Sequence, residues 1–139
     1  MPVYSFKIIS QYDLVSPLSL TVYEKCRENN IAKEECNKID LCLVEALNNA
    51  IKHSYRGEEN KVVELEVTLE CSFIKLVITD YGISRSNLDR ATLNFDPSDF
   101  ENLPEDGMGL YIIESLMDET IYTSDGKRNV FTLIKNFKK

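Results

Sequence analysis

Two polar side chains four residues apart are the first candidates for chemistry in this sequence. Glu45 and Asn49 lie in a stretch with helical periodicity, so we expect both on one helix face, one turn apart. The carboxylate could act as a base, and the carboxamide oxygen is a donor of the kind that Mg²⁺ prefers. For an isolated pair at this spacing, a solvated helix face is the more common explanation. The pair therefore needs support from the rest of the chain.

Two glycine motifs further along are also candidate ligand sites. Asp80-Tyr81-Gly82 follows a strand-like run, where a carboxylate can accept a hydrogen bond from an exocyclic amine and glycine permits close approach. Gly107-Met108-Gly109 precedes a helical pattern, and backbone N–H groups at a helix N-terminus bind phosphate favourably. Either motif alone is weak, because an Asx turn explains the first and a loop end explains the second.

The elements that must position these motifs follow from periodicity. We expect Ser16 to cap the first helix, with Pro17 at its first position. The core face of the second helix is expected to include Leu41, Val44, Leu47 and Ile51. The patterns predict strands at residues 3–10, 63–69, 72–79, 119–123 and 130–134, and helices at 16–30, 32–55 and 107–117.

Residues 82–106 have weak periodicity and two prolines, which predicts a lid-like loop containing a short helix at 86–93. The order of elements predicts an α/β (α+β) fold: a two-layer sandwich with a mixed, largely antiparallel sheet. A chain of 139 residues is expected to form a single domain.

Composition excludes several classes of function. A net charge of −7 argues against direct nucleic-acid binding, which relies on lysine and arginine. No apolar run is long enough to span a membrane and no signal-peptide core is present, so we expect a cytoplasmic protein. The four cysteines form no C-x-x-C pair, and a single histidine cannot complete the usual zinc spacings. We expect reduced thiols.

The motifs, in this order, resemble a known family over essentially the whole chain. Residues 45–53 are similar to the N-box, Asp80-Tyr81-Gly82 to the first glycine box, and residues 107–110 to the second. This arrangement resembles the small anti-sigma factors with serine/threonine protein kinase activity, members of the GHKL ATPase superfamily. The resemblance implies one histidine-kinase-like ATPase domain over residues 1–139, with the Bergerat-type fold and an ATP lid at 82–106.

The resemblance also implies roles for individual residues. Asn49 would coordinate Mg²⁺ on the ATP phosphates, and Glu45 would orient or deprotonate the attacking serine hydroxyl of a protein substrate. Asp80 would receive the adenine amino group, with Gly82 against the base, and Thr132 would back that pocket. His53 would either touch the phosphates or serve the structure. The residues implied to bind the cofactor are Asn49, His53, Asp80, Gly82, Gly107, Met108, Gly109, Leu110 and Thr132.

The implied partners are an anti-anti-sigma factor of the STAS type, which carries the target serine, a sigma factor, and a second copy of the chain in a homodimer. The sequence departs from the family pattern at two places. Ser84 stands where a second glycine is usual, and the first helix has no cation before Lys25 and Arg27. Two alternatives stay open: a non-catalytic ATP-dependent binding module, and a pocket that binds no nucleotide.

Overall fold

A five-stranded sheet forms one layer of the structure and the helices form the other. The computed structural model describes residues 3–83 and 107–137. The strands lie in the order β1-β2-β3-β5-β4, and every neighbouring pair is antiparallel, so the sheet of the described residues is wholly antiparallel rather than mixed. The strands are β1 (Val3–Ile9), β2 (Val62–Leu69), β3 (Phe73–Asp80), β4 (Glu119–Ser124) and β5 (Asn129–Asn136).

Strict alternation in the central strands explains why the helices cover one face. In β2 the apolar positions from Val63 to Leu69 are at most 2% exposed, whereas Glu64 and Glu66 point to the other side. In the register of β2 with β3, Leu65 lies opposite Ile78 and Val67 opposite Leu76. These pairs form the apolar face of the sheet on which the helices pack, as the alternating pattern of the sequence predicts.

The helices differ from the predicted ones mainly at their ends. A 3₁₀ turn at Tyr12–Leu14 leads directly into α1, so α1 starts one residue before Ser16 and Leu14 takes the cap position. The expected Ser16 cap is therefore wrong. The helices are α1 (Val15–Glu28), α2 (Lys33–Asn49), followed without a break by a π-helical turn (Ala50–Ser54), and α3 (Gly107–Leu116).

The buried face of α2 is rotated from the expected one. Ile39, Leu43, Leu47 and Ile51 recur every fourth residue and are at most 1% exposed. Leu41 is 44% exposed, because it lies two residues, or about 200°, from Leu43 on the helix. Leu47 and Ile51 are correctly predicted as core, whereas Leu41 is not.

The predicted short helix at residues 86–93, and all of the predicted lid except its first two residues, lie outside the described residues. Among the described helices, none combines the length and the apolar character that crossing a membrane requires.

Candidate functional site

The C-terminal end of α2 and the first turn of α3 enclose a small polar cavity. Its volume is about 280 Å³. Five residues of the predicted N-box contribute to it, together with a glycine of the second glycine box. The lining residues are Tyr12, Glu45, Asn48, Asn49, Lys52, His53 and Gly109. The sequence motifs separated by some 60 residues therefore meet at one place.

A π-helical turn shapes this end of α2. After Asn49 the helix widens, and the N–H of Tyr55 donates to the carbonyl oxygen of Ala50, five residues back, at 3.1 Å. Such turns are frequent at functional sites, and they redirect side chains that a regular helix would carry elsewhere. His53 belongs to this turn and lines the cavity. Sequence periodicity carries no signal for such a turn.

Asn49 carries a polar atom that the described part of the chain leaves unsatisfied. Its Nδ2 atom is buried and has no hydrogen-bond partner among the described residues. An unmade bond of this kind costs about 1–3 kcal/mol, and a ligand group that bonds here would remove that cost. Rotating the carboxamide by half a turn presents its oxygen at the same position, and such an oxygen is a suitable Mg²⁺ ligand. The donor set thus fits a magnesium–phosphate group.

Gly109 lies directly against the carboxylate of Glu45. A Cβ atom placed on Gly109 would lie 2.5 Å from Oε2 of Glu45 and 3.4 Å from its Cδ. The backbone of the first turn of α3 therefore packs directly on the carboxylate. Gly107 and Met108 begin the same turn, and Leu110 follows with 5% exposure. The first N–H groups of a helix have no partner within the helix, so this turn can bind an anion.

The first glycine box lies on the other side of the π-helical turn. Asp80 ends β3 and is 5% exposed, and its Oδ1 accepts a hydrogen bond from the N–H of Gly82 at 3.0 Å. A Cβ atom on Gly82 would come within 2.2 Å of the carbonyl oxygen of Ser54, the last residue of the turn. The N–H of Ile83 donates to the same oxygen at 2.8 Å. The residue that follows the N-box is thus in direct backbone contact with the first glycine box.

Tyr55, which the motifs do not single out, connects three segments at this junction. Its hydroxyl donates to the carbonyl oxygen of Val62 and accepts from the N–H of Tyr81 at 2.8 Å. Burial raises the pKa of Tyr55 above its ordinary value, so the hydroxyl remains a proton donor throughout the neutral range. This side chain holds the end of the π-helical turn against the start of β2 and the turn after β3.

Thr132 does not lie where the sequence prediction places it. In the register of β3 with β5, Thr132 is opposite Val77, whereas Asp80 is opposite Asn129. Side chains alternate between faces along a strand, so Thr132 points away from the face that carries Asp80. The predicted role of Thr132 behind the adenine pocket is therefore wrong. Asn129 occupies the place beside Asp80, although it lies just outside the strand predicted at residues 130–134.

Comparison with known proteins agrees with the arrangement of these motifs. Residues 10–135 match the family model of the histidine kinase-like ATPase domain. The anti-sigma F factors of Bacillus thuringiensis (strain Al Hakam) and Bacillus mycoides (strain KBAB4) are each 42% identical over 86 residues. Those residues make up 62% of this chain and 58% of each relative, so the match spans less than two thirds of the length of the relatives.

Solved structures show a similar fold at low sequence identity. The SiaB-SiaC complex from Pseudomonas aeruginosa contains a chain that matches with a TM-score of 0.66 and 14% identity, over 96% of this chain and 89% of that one. The histidine kinase AdeS of Acinetobacter baumannii matches with a TM-score of 0.54 and 17% identity, over 96% and 68%. At these identities the likeness concerns the fold alone.

Proposed function

Since this chain belongs to the family of histidine kinase-like ATPase domains, we propose that it binds ATP with Mg²⁺ and phosphorylates a serine of a partner protein. The observation that carries the proposal is the shared cavity of Glu45, Asn49 and Gly109, at which a carboxylate, an unsatisfied carboxamide and a helix N-terminus converge. Phosphoryl transfer depends mainly on positioning and charge neutralisation, and this cavity offers both.

Different residues are proposed to bind the metal, to bind the phosphates and to accept the proton of the serine hydroxyl. When bound, ATP supplies the phosphoryl group and Mg²⁺ neutralises phosphate charge. The Asn49 carboxamide would hold the metal, while the first N–H groups of α3, from Gly107 to Leu110, would bind phosphate oxygens. Glu45, held against Gly109, orients the serine hydroxyl and accepts its proton. His53 lines the same cavity, and we propose that it contacts the phosphates.

The adenine end of the site is proposed at the end of β3. Asp80 accepts the hydrogen bond of the adenine amino group, and the backbone of Gly82 lies against the base. Because Gly82 and Ile83 contact Ser54 of the π-helical turn, the adenine and phosphate ends are parts of one continuous framework.

The cation for the phosphate end comes from the π-helical turn rather than from α1. Arg27 donates to the carbonyl oxygen of Ile31 at 3.0 Å, and Lys25 lies 3.7 Å from Glu28 and over the ring of Tyr4. Both side chains therefore make contacts around the C-terminal end of α1. Lys52 lines the cavity, and we assign the positive charge at the phosphates to this residue.

The partners proposed are those of an anti-sigma factor. The relatives named above are anti-sigma F factors, which supports a cytoplasmic role in which this chain sequesters a sigma factor and phosphorylates a STAS-type anti-anti-sigma protein. A homodimer is also proposed. β1 is an edge strand of the sheet, and no described strand pairs with its outer side, so a second copy could pair there.

Phosphoryl transfer is tested with γ-labelled ATP, Mg²⁺ and a partner captured from native cells in the presence of ATP. We expect label on a serine of the partner, and we expect Glu45→Gln to bind ATP normally but to transfer label at least about a hundredfold more slowly. Undiminished transfer by Glu45→Gln would contradict the role of Glu45.

One alternative function is supported by a specific feature. The first helix lacks a cation near the cavity, and a site with less positive charge could bind ATP without transferring phosphate. The chain would then be a binding module whose partner surface responds to ATP. Mg²⁺-dependent ATP binding without label on any captured partner would favour this alternative.

A further inference from the structure

Asn129 is buried beside the proposed adenine carboxylate, although no motif includes it. It is the first residue of β5, and only 2% of its surface is exposed. In the antiparallel register it lies opposite Asp80, so both side chains are on the same face of the sheet. A polar side chain this deeply buried is normally retained for its hydrogen bonds.

The Nδ2 atom of Asn129 faces three acceptors of a single turn. It donates to Oδ1 of Asp80 at 2.8 Å and to the carbonyl oxygen of Gly82 at 3.0 Å, and it lies 3.4 Å from the carbonyl oxygen of Ile83. Because all three are acceptors, the carboxamide must present its nitrogen to them. Asn129 therefore holds the carboxylate and the following turn as one unit.

The two oxygens of the Asp80 carboxylate consequently differ. Oδ1 accepts from both Asn129 and the N–H of Gly82, whereas Oδ2 accepts no hydrogen bond from the described residues. Rotation of the carboxylate about its Cβ–Cγ bond would break both bonds at Oδ1. The two bonds at Oδ1 thus fix the direction in which Oδ2 points.

We propose that Asn129 is a positioning residue that makes the site selective for a 6-aminopurine over a 6-oxopurine. The inference rests on the proposed function, in which Asp80 receives the adenine amino group. An amino group donates a hydrogen to Oδ2, whereas a keto oxygen would place its lone pairs against those of the carboxylate. A carboxylate free to rotate would relieve that repulsion. The hydrogen bonds from Asn129 prevent this rotation. They therefore preserve a large difference in affinity between the 6-aminopurine and the 6-oxopurine.

The test compares equilibrium affinities for ATP and for ITP, which carries a keto oxygen at position 6, in the presence of Mg²⁺. We expect Asn129→Ala to lower the ratio of ATP affinity to ITP affinity by about tenfold. Asn136→Ala is the matched control, since Asn136 is exposed on the same strand, and it should leave the ratio unchanged. Equal weakening of both nucleotides by Asn129→Ala would overturn the proposal, because Asn129 would then only stabilise the strand end.

Asn129→Thr is a second variant that tests the proposal even if Asn129→Ala does not fold. Its hydroxyl retains one donor, so we expect an affinity ratio between those of the wild type and Asn129→Ala, and melting without nucleotide reports the folding of each protein. A wild-type chain that binds no ATP would refute the proposed function. Loss of selectivity in Asp80→Asn, but not in either Asn129 variant, would refute the role of Asn129 alone.

Discussion

Asn49 is unfavourable for the fold, and we propose that the site requires it. Its buried Nδ2 atom has no hydrogen-bond partner in the described part of the chain, and an unsatisfied buried polar atom destabilises the folded state. Functional sites are places where such unfavourable features persist, because the ligand compensates them.

Replacing Asn49 is expected to separate stability from binding. Asn49→Ala should abolish the Mg²⁺-dependent part of ATP affinity, a loss of at least about tenfold, while raising the free energy of unfolding without ligand by about 1 kcal/mol. Calorimetric titration and denaturant unfolding measure the two quantities. Asn37→Ala is the control, because Asn37 is exposed on the same helix and gives a similar gain in helix propensity. If Asn49→Ala binds ATP with Mg²⁺ as the wild type does, Asn49 is not the metal ligand.

The contact between α2 and α3 places the two halves of the cavity. The backbone at Gly109 packs on the end of the Glu45 side chain rather than on backbone atoms. A methyl group there can be accommodated by moving the carboxylate. The geometry of the site is therefore more sensitive to this position than the stability of the fold is.

Gly109→Ala is accordingly expected to fold normally and to transfer phosphate poorly. Alanine favours the helix by about 1 kcal/mol over glycine, which offsets the displacement of Glu45. We expect an unchanged or higher melting temperature and at least about a tenfold lower rate of phosphoryl transfer. Ser115→Ala, at an exposed position of α3, is the control. A transfer rate equal to that of the wild type would show that phosphoryl transfer does not depend on the position of the Glu45 carboxylate.

Gly82→Ala should behave differently, because its added Cβ would meet backbone. The carbonyl carbon and oxygen of Ser54 lie 2.5 and 2.2 Å from that Cβ position. Neither can move without displacing the π-helical turn, so we expect a loss of about 1–3 kcal/mol in the free energy of unfolding. Chemical denaturation of the ligand-free protein measures it. A stability equal to that of the wild type would contradict the close packing of the two motifs.

The sequence predicts the elements well and their relative registers poorly. Alternation in residues 63–69 is enough to predict a strand with one buried face. The order of the motifs is enough to predict the family, which is confirmed. Thr132 and Asn129 show the limit, because a strand assigned without a pairing register leaves open which residues face the helices. The π-helical turn and the packing of Gly109 on Glu45 depend on tertiary contacts, which periodicity does not encode. Tyr55 likewise acts through contacts distant in sequence.

At the scale of the whole molecule, the helices are packed on the sheet through a core that contains buried thiols. Burial, with a smaller contribution from neighbouring Cys36, raises the pKa of Cys26 from 9.0 to about 12. Burial likewise raises the pKa of Cys42 to about 12. The folded state therefore keeps protons that the unfolded chain releases above pH 9. The stabilisation is complete below pH 9 and is lost as pH rises toward 12.

Stability should therefore fall with pH in the alkaline range under reducing conditions. Each such thiol contributes a slope of up to about 1.4 kcal/mol per pH unit. We expect Cys42→Ala to make the decline between pH 9 and 11 shallower, although it lowers stability at neutral pH by loss of packing. Cys71→Ala, which removes an exposed thiol, should leave the slope unchanged. An identical slope for Cys42→Ala and the wild type would contradict a buried, protonated Cys42.

The most direct measurement of the central claim is a calorimetric titration of the whole chain with ATP, with Mg²⁺ and with EDTA. The cavity formed by α2 and α3 leads us to expect one site per chain, with an affinity at least about tenfold higher when Mg²⁺ is present. Absence of binding at millimolar ATP, or binding that is the same with EDTA, would contradict the account.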